Sequence, residues 1–259
     1  MVKTNVLEEI GKKLLFIAPH PDDDAIGCGA LLLELSKAFR SGRLDPQVDL
    51  IHSIHIAFAV SGFNGVSDRF LRANGFDFSD EVEKREIKSR IRREEAIACC
   101  DYLGAKPVFW DLPFYEKQEK KFTQDDLDIV SSFLEQIEPD SIFLIDEVSD
   151  PHGTHGVVRD VVLKVLQKKS YSGVLFGYQV WEDVTSIDNC DKLVCFDQAT
   201  MKEKEKLISF YKSQLQDPAY PCEHKDFIEL ARINNSAMAK KFCTEYQYAE
   251  CYKKFPKEI

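Results

Sequence analysis

The chain has 259 residues, with 34 Lys and Arg against 44 Asp and Glu, a formal charge of −10 at neutral pH. So acidic a balance argues against a nucleic-acid backbone or an anionic membrane as the main partner, because both select basic surfaces; small molecules remain, with self-association left open. The start lacks the apolar core of an export signal, no stretch approaches the roughly 18 apolar residues of a membrane span, and no Ser/Gly/Pro-rich linker divides the chain, so one cytoplasmic domain over 1–259 is expected.

Leu14–Ala18 reads as a buried strand. Directly after it come Pro19-His20-Pro21-Asp22-Asp23-Asp24, then Gly27-Cys28-Gly29 and a helix over Gly29–Ser41. A second strand is predicted at Ile54–Val60. The stretch Ser61 to Asp80 is irregular, yet its phenylalanines favour an ordered loop that closes over something, and substrate selectivity is expected to reside there. Next come a helix at Glu83–Leu103, a strand at Pro107–Trp110, a helix at Gln124–Gln136 and a strand at Ser141–Ile145. The cluster Asp150-Pro151-His152-Gly153-Thr154-His155 leads into a helix at His155–Gln167, with strands at Val174–Val180 and Leu193–Phe196 beyond it. Alternation of this kind predicts an α/β fold, a mainly parallel sheet covered on both faces by helices. Met201–Gln214 and Lys225–Phe242 read as a helical C-terminal region. The eight cysteines show no CxxC pair, and most read as free core thiols.

The two clusters carry the chemistry. First-row metals accept imidazole and carboxylate together, and a catalytic site keeps three protein ligands and one open position. His20, Asp23 and His155 can supply the three, for Zn2+ and equally for Fe2+ or Co2+. Asp22, beside a ligand, is placed to act as general base toward a metal-activated water. His152, three residues before His155, can donate to the oxyanion formed on a carbonyl, and Asp150 can orient one of the imidazoles. The plainer reading is that three aspartates favour the positive end of a helix and that HxxH merely opens another. That both clusters follow buried strands weighs against it, because ligands gather at the carboxyl ends of such strands.

At these residues the chain resembles the PIG-L/LmbE-like family of zinc-dependent N-deacetylases, whose motifs read (A/P)HPDDE and HPDH or a relative. Arg92-Arg93-Glu94-Glu95 running to Leu103-Gly104 is similar to the family's Arg-x-x-Glu helix. The resemblance implies a Rossmann-like fold, a metal on His20, Asp23 and His155, Asp22 as base, Arg92 facing the substrate with Glu95 as its partner, and an N-acetylated amino sugar as substrate. Asp111–Glu116, Asp150–His155 and Tyr211-Lys212-Ser213-Gln214 look like the deacetylase-like domain fused to some glucosamine-6-phosphate deaminases. Two departures stand out: Asp24 occupies the place of a glutamate that helps to hold the turn, and Gly153-Thr154 replaces Pro-Asp.

The expected activity is removal of an N-acetyl group from a small amino sugar of the N-acetylglucosamine type. A phosphorylated sugar would suit the cations Arg69, Arg72, Lys84, Arg85, Lys88, Arg90 and Arg92, although solvated helix faces account for all but Arg92 and one of Arg69 and Arg72. Two rivals are a sugar-sensing module that keeps the metal without turnover and a nucleotide-binding α/β protein. The latter rests on Gly27-Cys28-Gly29 alone, with no GxGxxG after the first strand.

Overall fold

The computed structural model describes residues 6–41, 51–146, 153–180, 190–216, 219, 226–243 and 245–256. In chain order, a 3-10 turn at Val6–Glu8 leads to β1 (Lys13–Ala18), α1 (Asp23–Ser41), β2 (Ser53–Phe58), a 3-10 turn at Phe63–Gly65, α2 (Asp68–Ala73) and α3 (Glu81–Leu103). Then follow β3 (Lys106–Phe109), α4 (Pro113–Glu116), α5 (Gln124–Ile137), β4 (Ser141–Ile145), α6 (Thr154–Lys168) and β5 (Val174–Tyr178). The last elements are β6 (Lys192–Phe196), α7 (Gln198–Ile208), α8 (Lys212–Leu215), α9 (Phe227–Phe242) and β7 (Tyr248–Lys254).

These strands form one seven-stranded sheet in the order β3-β2-β1-β4-β5-β7-β6. The first five are parallel, as the alternation of elements predicts, and β7 runs antiparallel between β5 and β6. Helices flank the sheet in groups, α1 with α7 and α9, and α5 with α6. Because β1 and β4 pair directly while their connections run to opposite sides, the carboxyl ends of these two strands flank the crevice where an open α/β sheet takes its ligand. Register reinforces the centre: Phe16, Phe143 and Phe176 are cross-strand partners, and their rings stack at 4.3 and 5.2 Å. Offset stacking in a dry sheet face adds about 0.5–1.5 kcal/mol per pair beyond burial.

Gly27 and Gly29 lie inside α1, where glycine costs helix stability. Close packing explains them. A Cβ on Gly27 would fall 2.4 Å from the Tyr178 ring, and one on Gly29 would fall 2.9 Å from the Lys204 chain. The Gly-Cys-Gly sequence therefore serves helix-to-neighbour contact, which removes the one hint of a phosphate-binding loop.

Three expectations need correction. The C-terminal region is not purely helical, because β7 completes the sheet; its sequence, Tyr-Ala-Glu-Cys-Tyr-Lys-Lys, hides a strand since Glu250 is buried by pairing rather than by apolarity. Four cysteines are not free. Cys190 pairs with Cys251 of β7, and Cys195 of β6 pairs with Cys243 at the end of α9, whereas Cys28, Cys99 and Cys100 are buried free thiols. The Ser61–Asp80 stretch holds regular structure: Ser67 caps α2 by accepting from the Phe70 amide at 3.0 Å, and Phe70 and Leu71 bury against Ile91 of α3. Phe70, Phe76 and Phe78 pack in the cluster around α2, and Phe63 meets Tyr115 and the Arg85 guanidinium.

Candidate active site

The turn after β1 is held by its own carboxylate. Asp23 Oδ2 accepts from the His20 amide at 2.7 Å, and the Asp23 amide donates to the His20 carbonyl at 3.3 Å, so the first residue of α1 locks the turn before it. Asp22 takes φ 140°, a region that non-glycine residues rarely occupy and one often found at functional sites. The surrounding structure over-determines it, because its carbonyl accepts from Ile26 and its carboxylate is bound by α3.

From β4, the chain returns at α6, whose second residue is His155, fully buried. Gly153 precedes the helix with φ 73°. Proline, fixed near −65°, cannot take that conformation, so the Gly153-Thr154 departure gives this loop a backbone that a Pro-Asp sequence could not follow. Asp150 and His152 lie outside the described residues.

His20, Asp23 and His155 converge. His20 Nδ1 lies 3.2 Å from His155 Nε2, and Asp23 Oδ2 lies 3.3 Å from each of those nitrogens. Ligand atoms 2.0–2.1 Å from a tetrahedral zinc stand about 3.3–3.4 Å apart, so these three match one face of such a tetrahedron. Two imidazole nitrogens and a carboxylate oxygen pointing at one centre fit a divalent transition metal better than they fit one another, since neutral imidazoles offer only one proton each. The site is dry on two of its three sides: the Asp23 and His155 side chains are 3% and 0% exposed, against 17% for His20. Burial opposes ionisation of Asp23, but His155 and His20 together hold its carboxyl well below the usual range.

Asp22, next to Asp23 in the chain, has its Oδ2 bound by Arg92. Burial pushes its carboxyl up to about 6 against the opposing charge of Arg92. Arg92 is not exposed toward solvent. Its guanidinium donates to Asp22 Oδ2 at 3.0 Å, to the Pro21 carbonyl, and to Glu95 Oε2 at 3.4 Å, and the residue is 1% exposed. That geometry differs from the expected substrate contact and makes Arg92 a clamp on the turn. Glu95 is its partner, as the resemblance implied. Asp24 is buried on the other side of the turn, where Tyr211 O–H donates to its Oδ1 at 2.9 Å, and burial pushes its carboxyl up to about 7.

Sequence reading gave no role to Tyr115, whose ring stands edge-on to His20 at 6.1 Å and to Phe63 at 5.3 Å. Nor did it give one to Tyr211 and Ser213, which meet Asp24 and Glu95. The Tyr-Lys-Ser-Gln string was visible, but its contacts are made across more than a hundred residues of chain. Most of the basic cluster is already neutralised: Lys84 and Lys88 share Asp68, Arg85 bonds Glu116, and Arg90 lies 3.9 Å from Glu94. No helix among the described residues is long and apolar enough to cross a membrane.

The family model described as PIG-L, GlcNAc-PI de-N-acetylase, matches residues 15–166. A glucosamine-6-phosphate deaminase-like protein of Bacteroides thetaiotaomicron is 27% identical over 81% of this chain, and the chain spans 37% of that protein's length. Among solved structures, the N,N'-diacetylchitobiose deacetylase of Pyrococcus horikoshii superposes with a TM-score of 0.68 at 18% identity, covering 95% of this chain and 84% of the other. The 4-carboxy-2-hydroxymuconate hydratase of Pseudomonas putida superposes with a TM-score of 0.63 at 15% identity, covering 95% and 97%. At such identities the superpositions speak for the fold alone.

Proposed function

The chain belongs to the PIG-L family, and from that premise we propose that it is a metal-dependent hydrolase that removes the N-acetyl group from a small amino sugar of the N-acetylglucosamine type. The observation that carries this reading is the 3.2–3.3 Å triangle of His20, Asp23 and His155 donor atoms with Asp22 adjoining it. Those three residues would hold Zn2+, with Fe2+ or Co2+ as alternatives, and the ion when bound supplies Lewis acidity toward the amide carbonyl and the attacking water.

The protein's own groups do the rest. Asp22 accepts the proton of the attacking water and returns it to the departing amine, and Arg92 keeps its carboxylate in one orientation by binding Oδ2. A carboxyl pushed up to about 6 is suited to both halves of that exchange near neutral pH. Glu95 fixes Arg92, and Asp24 supports the turn from the opposite side. His152 is assigned the oxyanion contact and Asp150 the orientation of an imidazole, both on sequence grounds. Tyr115 places an aromatic ring beside His20, with Phe63 edge-on against it, and such a ring suits the apolar face of a pyranose. The neutralised cations of α3 favour an uncharged acetamido sugar over a phosphorylated one.

The test is release of amine and acetate from N-acetylglucosamine, its 6-phosphate and N,N'-diacetylchitobiose by protein carrying one zinc equivalent. Turnover of at least one, abolished by Asp22→Ala with zinc retained, is the expected result. A zinc-loaded protein that releases nothing from any of the three, or an Asp22→Ala variant at the parent rate, would overturn the assignment.

A further inference from the structure

A single turn near the C-terminus meets the site's supporting residues from three directions. Tyr211 is fully buried and its O–H donates to Asp24 Oδ1 at 2.9 Å. Ser213, also fully buried, donates twice to Glu95: its amide to Oε1 at 2.6 Å and its hydroxyl to Oε2 at 2.8 Å. Gln214 Nε2 donates to the Gly65 carbonyl at 3.1 Å and to Ser213 Oγ at 3.1 Å. In sequence these partners lie 187, 118 and 149 residues away.

The contacts form a continuous chain. Glu95 Oε2, which accepts from Ser213 Oγ, also accepts from Arg92 Nη1 at 3.4 Å, and Arg92 Nη2 reaches Asp22 Oδ2 at 3.0 Å. The Arg92 guanidinium lies over the Tyr211 ring at 5.7 Å, so the same turn touches the clamp a second time. Gly65, which bears the third contact, ends the 3-10 turn whose Phe63 stands against Tyr115. A Cβ on Gly65 would fall 2.7 Å from Gln214 Oε1, so a larger residue there would have to displace the Gln214 amide.

From these contacts we infer that Tyr211, Ser213 and Gln214 are positioning residues for turnover: Ser213 through Glu95 holds Arg92 on Asp22, Tyr211 holds Asp24, and Gln214 holds the Phe63–Gly65 turn. None of the three touches His20, Asp23 or His155 in a described contact, so the brace acts on the proposed base rather than on the metal ligands. Its hydroxyls are matched to the task. Glu95 has two carboxylate oxygens and the brace occupies both, which leaves it one orientation and gives Arg92 one place to bind. Loss of the Ser213 hydroxyl frees Glu95 Oε2 to swing, and a shift of about 1 Å in a supporting group is enough to lower a rate by as much as 100-fold.

The inference rests on the deacetylase reading for its kinetic arm, and it also carries an arm that does not. Ser213→Ala, Ser213→Thr and Tyr211→Phe are compared with the parent for kcat and KM on the best acetamido sugar, for zinc affinity by competition with a chromogenic chelator, and for amide hydrogen exchange over residues 19–26. We expect Ser213→Ala to lower kcat about tenfold or more with KM and zinc affinity unchanged within about twofold, Ser213→Thr to restore it, and exchange over 19–26 to quicken in Ser213→Ala and Tyr211→Phe alone. A parent kcat in Ser213→Ala, failure of threonine to restore it, or unchanged exchange over 19–26 would overturn the brace. If the parent releases no amine at all, the deacetylase reading fails, and the exchange and zinc measurements still decide whether the brace orders the turn.

Discussion

Arg92 Nη2 donates to Asp22 Oδ2 at 3.0 Å across a contact whose side chains are 2% and 9% exposed, so a full positive charge meets this carboxylate in the protein interior, with Glu95 on its other side. Removing one partner of such a pair leaves the other charge buried and costs about 3–5 kcal/mol. Arg92→Met is therefore expected to lower unfolding stability by that amount, read from urea midpoints. Arg92→Lys is expected to recover little of it, because an ammonium cannot reach Asp22, the Pro21 carbonyl and Glu95 together. A lysine variant with the parent midpoint would show that the planar fork is not what the turn requires.

His155 and Asp22 should separate binding from chemistry. His155→Ala removes one vertex of the donor triangle and is expected to weaken zinc binding at least about 100-fold, whereas Asp22→Asn should bind zinc within about threefold of the parent. Zinc that binds only the folded chain adds stability, about 2.7 kcal/mol at a free concentration 100 times the dissociation constant. Calorimetric scans with and without a chelator should thus show a lower Tm for the chelated parent and no such difference for His155→Ala. An equal shift in both would place the ion elsewhere.

How far the sequence reveals this molecule depends on the range over which each feature is determined. The strand at Ser141–Ile145 was legible to the residue, because a buried parallel strand is a continuous apolar run bounded by polar turns. His20 and Asp23 were legible because four consecutive residues of one turn contain them both. β7 was not, since its buried Glu250 is held by partners distant in sequence, Lys204 forty-six positions earlier and the Ala30 and Leu31 amides of α1. Arg92 was found but its direction was not: an Arg-x-x-Glu spacing places both side chains on one helix face without saying whether that face looks at substrate or at a neighbouring turn. The pairing of Cys190 with Cys251 was hidden for the same reason as β7, as it depends on the antiparallel edge.

Gly62 offers a test of the Phe63 turn. It holds φ 66°, and a Cβ there would fall 3.0 Å from Pro21 Cδ and 3.3 Å from Arg92 Nε. Gly62→Ala is expected to cost about 1–2 kcal/mol from the left-handed backbone and to disturb the clamp as well. Gly75 shares the left-handed backbone, φ 76°, with nothing within 4 Å of a Cβ, so Gly75→Ala measures the backbone cost alone. The kinetic effect should follow Gly62 only; equal activity losses in the two variants would argue that the Phe63 turn has no special link to turnover.

Lys204 and Glu250 form a second buried ion pair, 2.7 Å apart and 0% and 1% exposed, behind α1. Glu250 also accepts from the Ala30 and Leu31 amides at 2.7 and 3.0 Å and from Tyr252 O–H at 2.7 Å, while Lys204 donates to Asn235 Oδ1 at 2.8 Å. Because Glu250 has other donors, the two partners are not equivalent. Lys204→Met leaves an anion without its counter-charge and should cost about 3–5 kcal/mol. Glu250→Gln keeps an acceptor oxygen for one of the two α1 amides and removes the stranded charge, so introducing it into Lys204→Met should recover at least about 1 kcal/mol. A double variant no more stable than Lys204→Met would mean that the ammonium contributes through its bond to Asn235 and its packing against Gly29, and that the charge of Glu250 is satisfied by the helix amides alone.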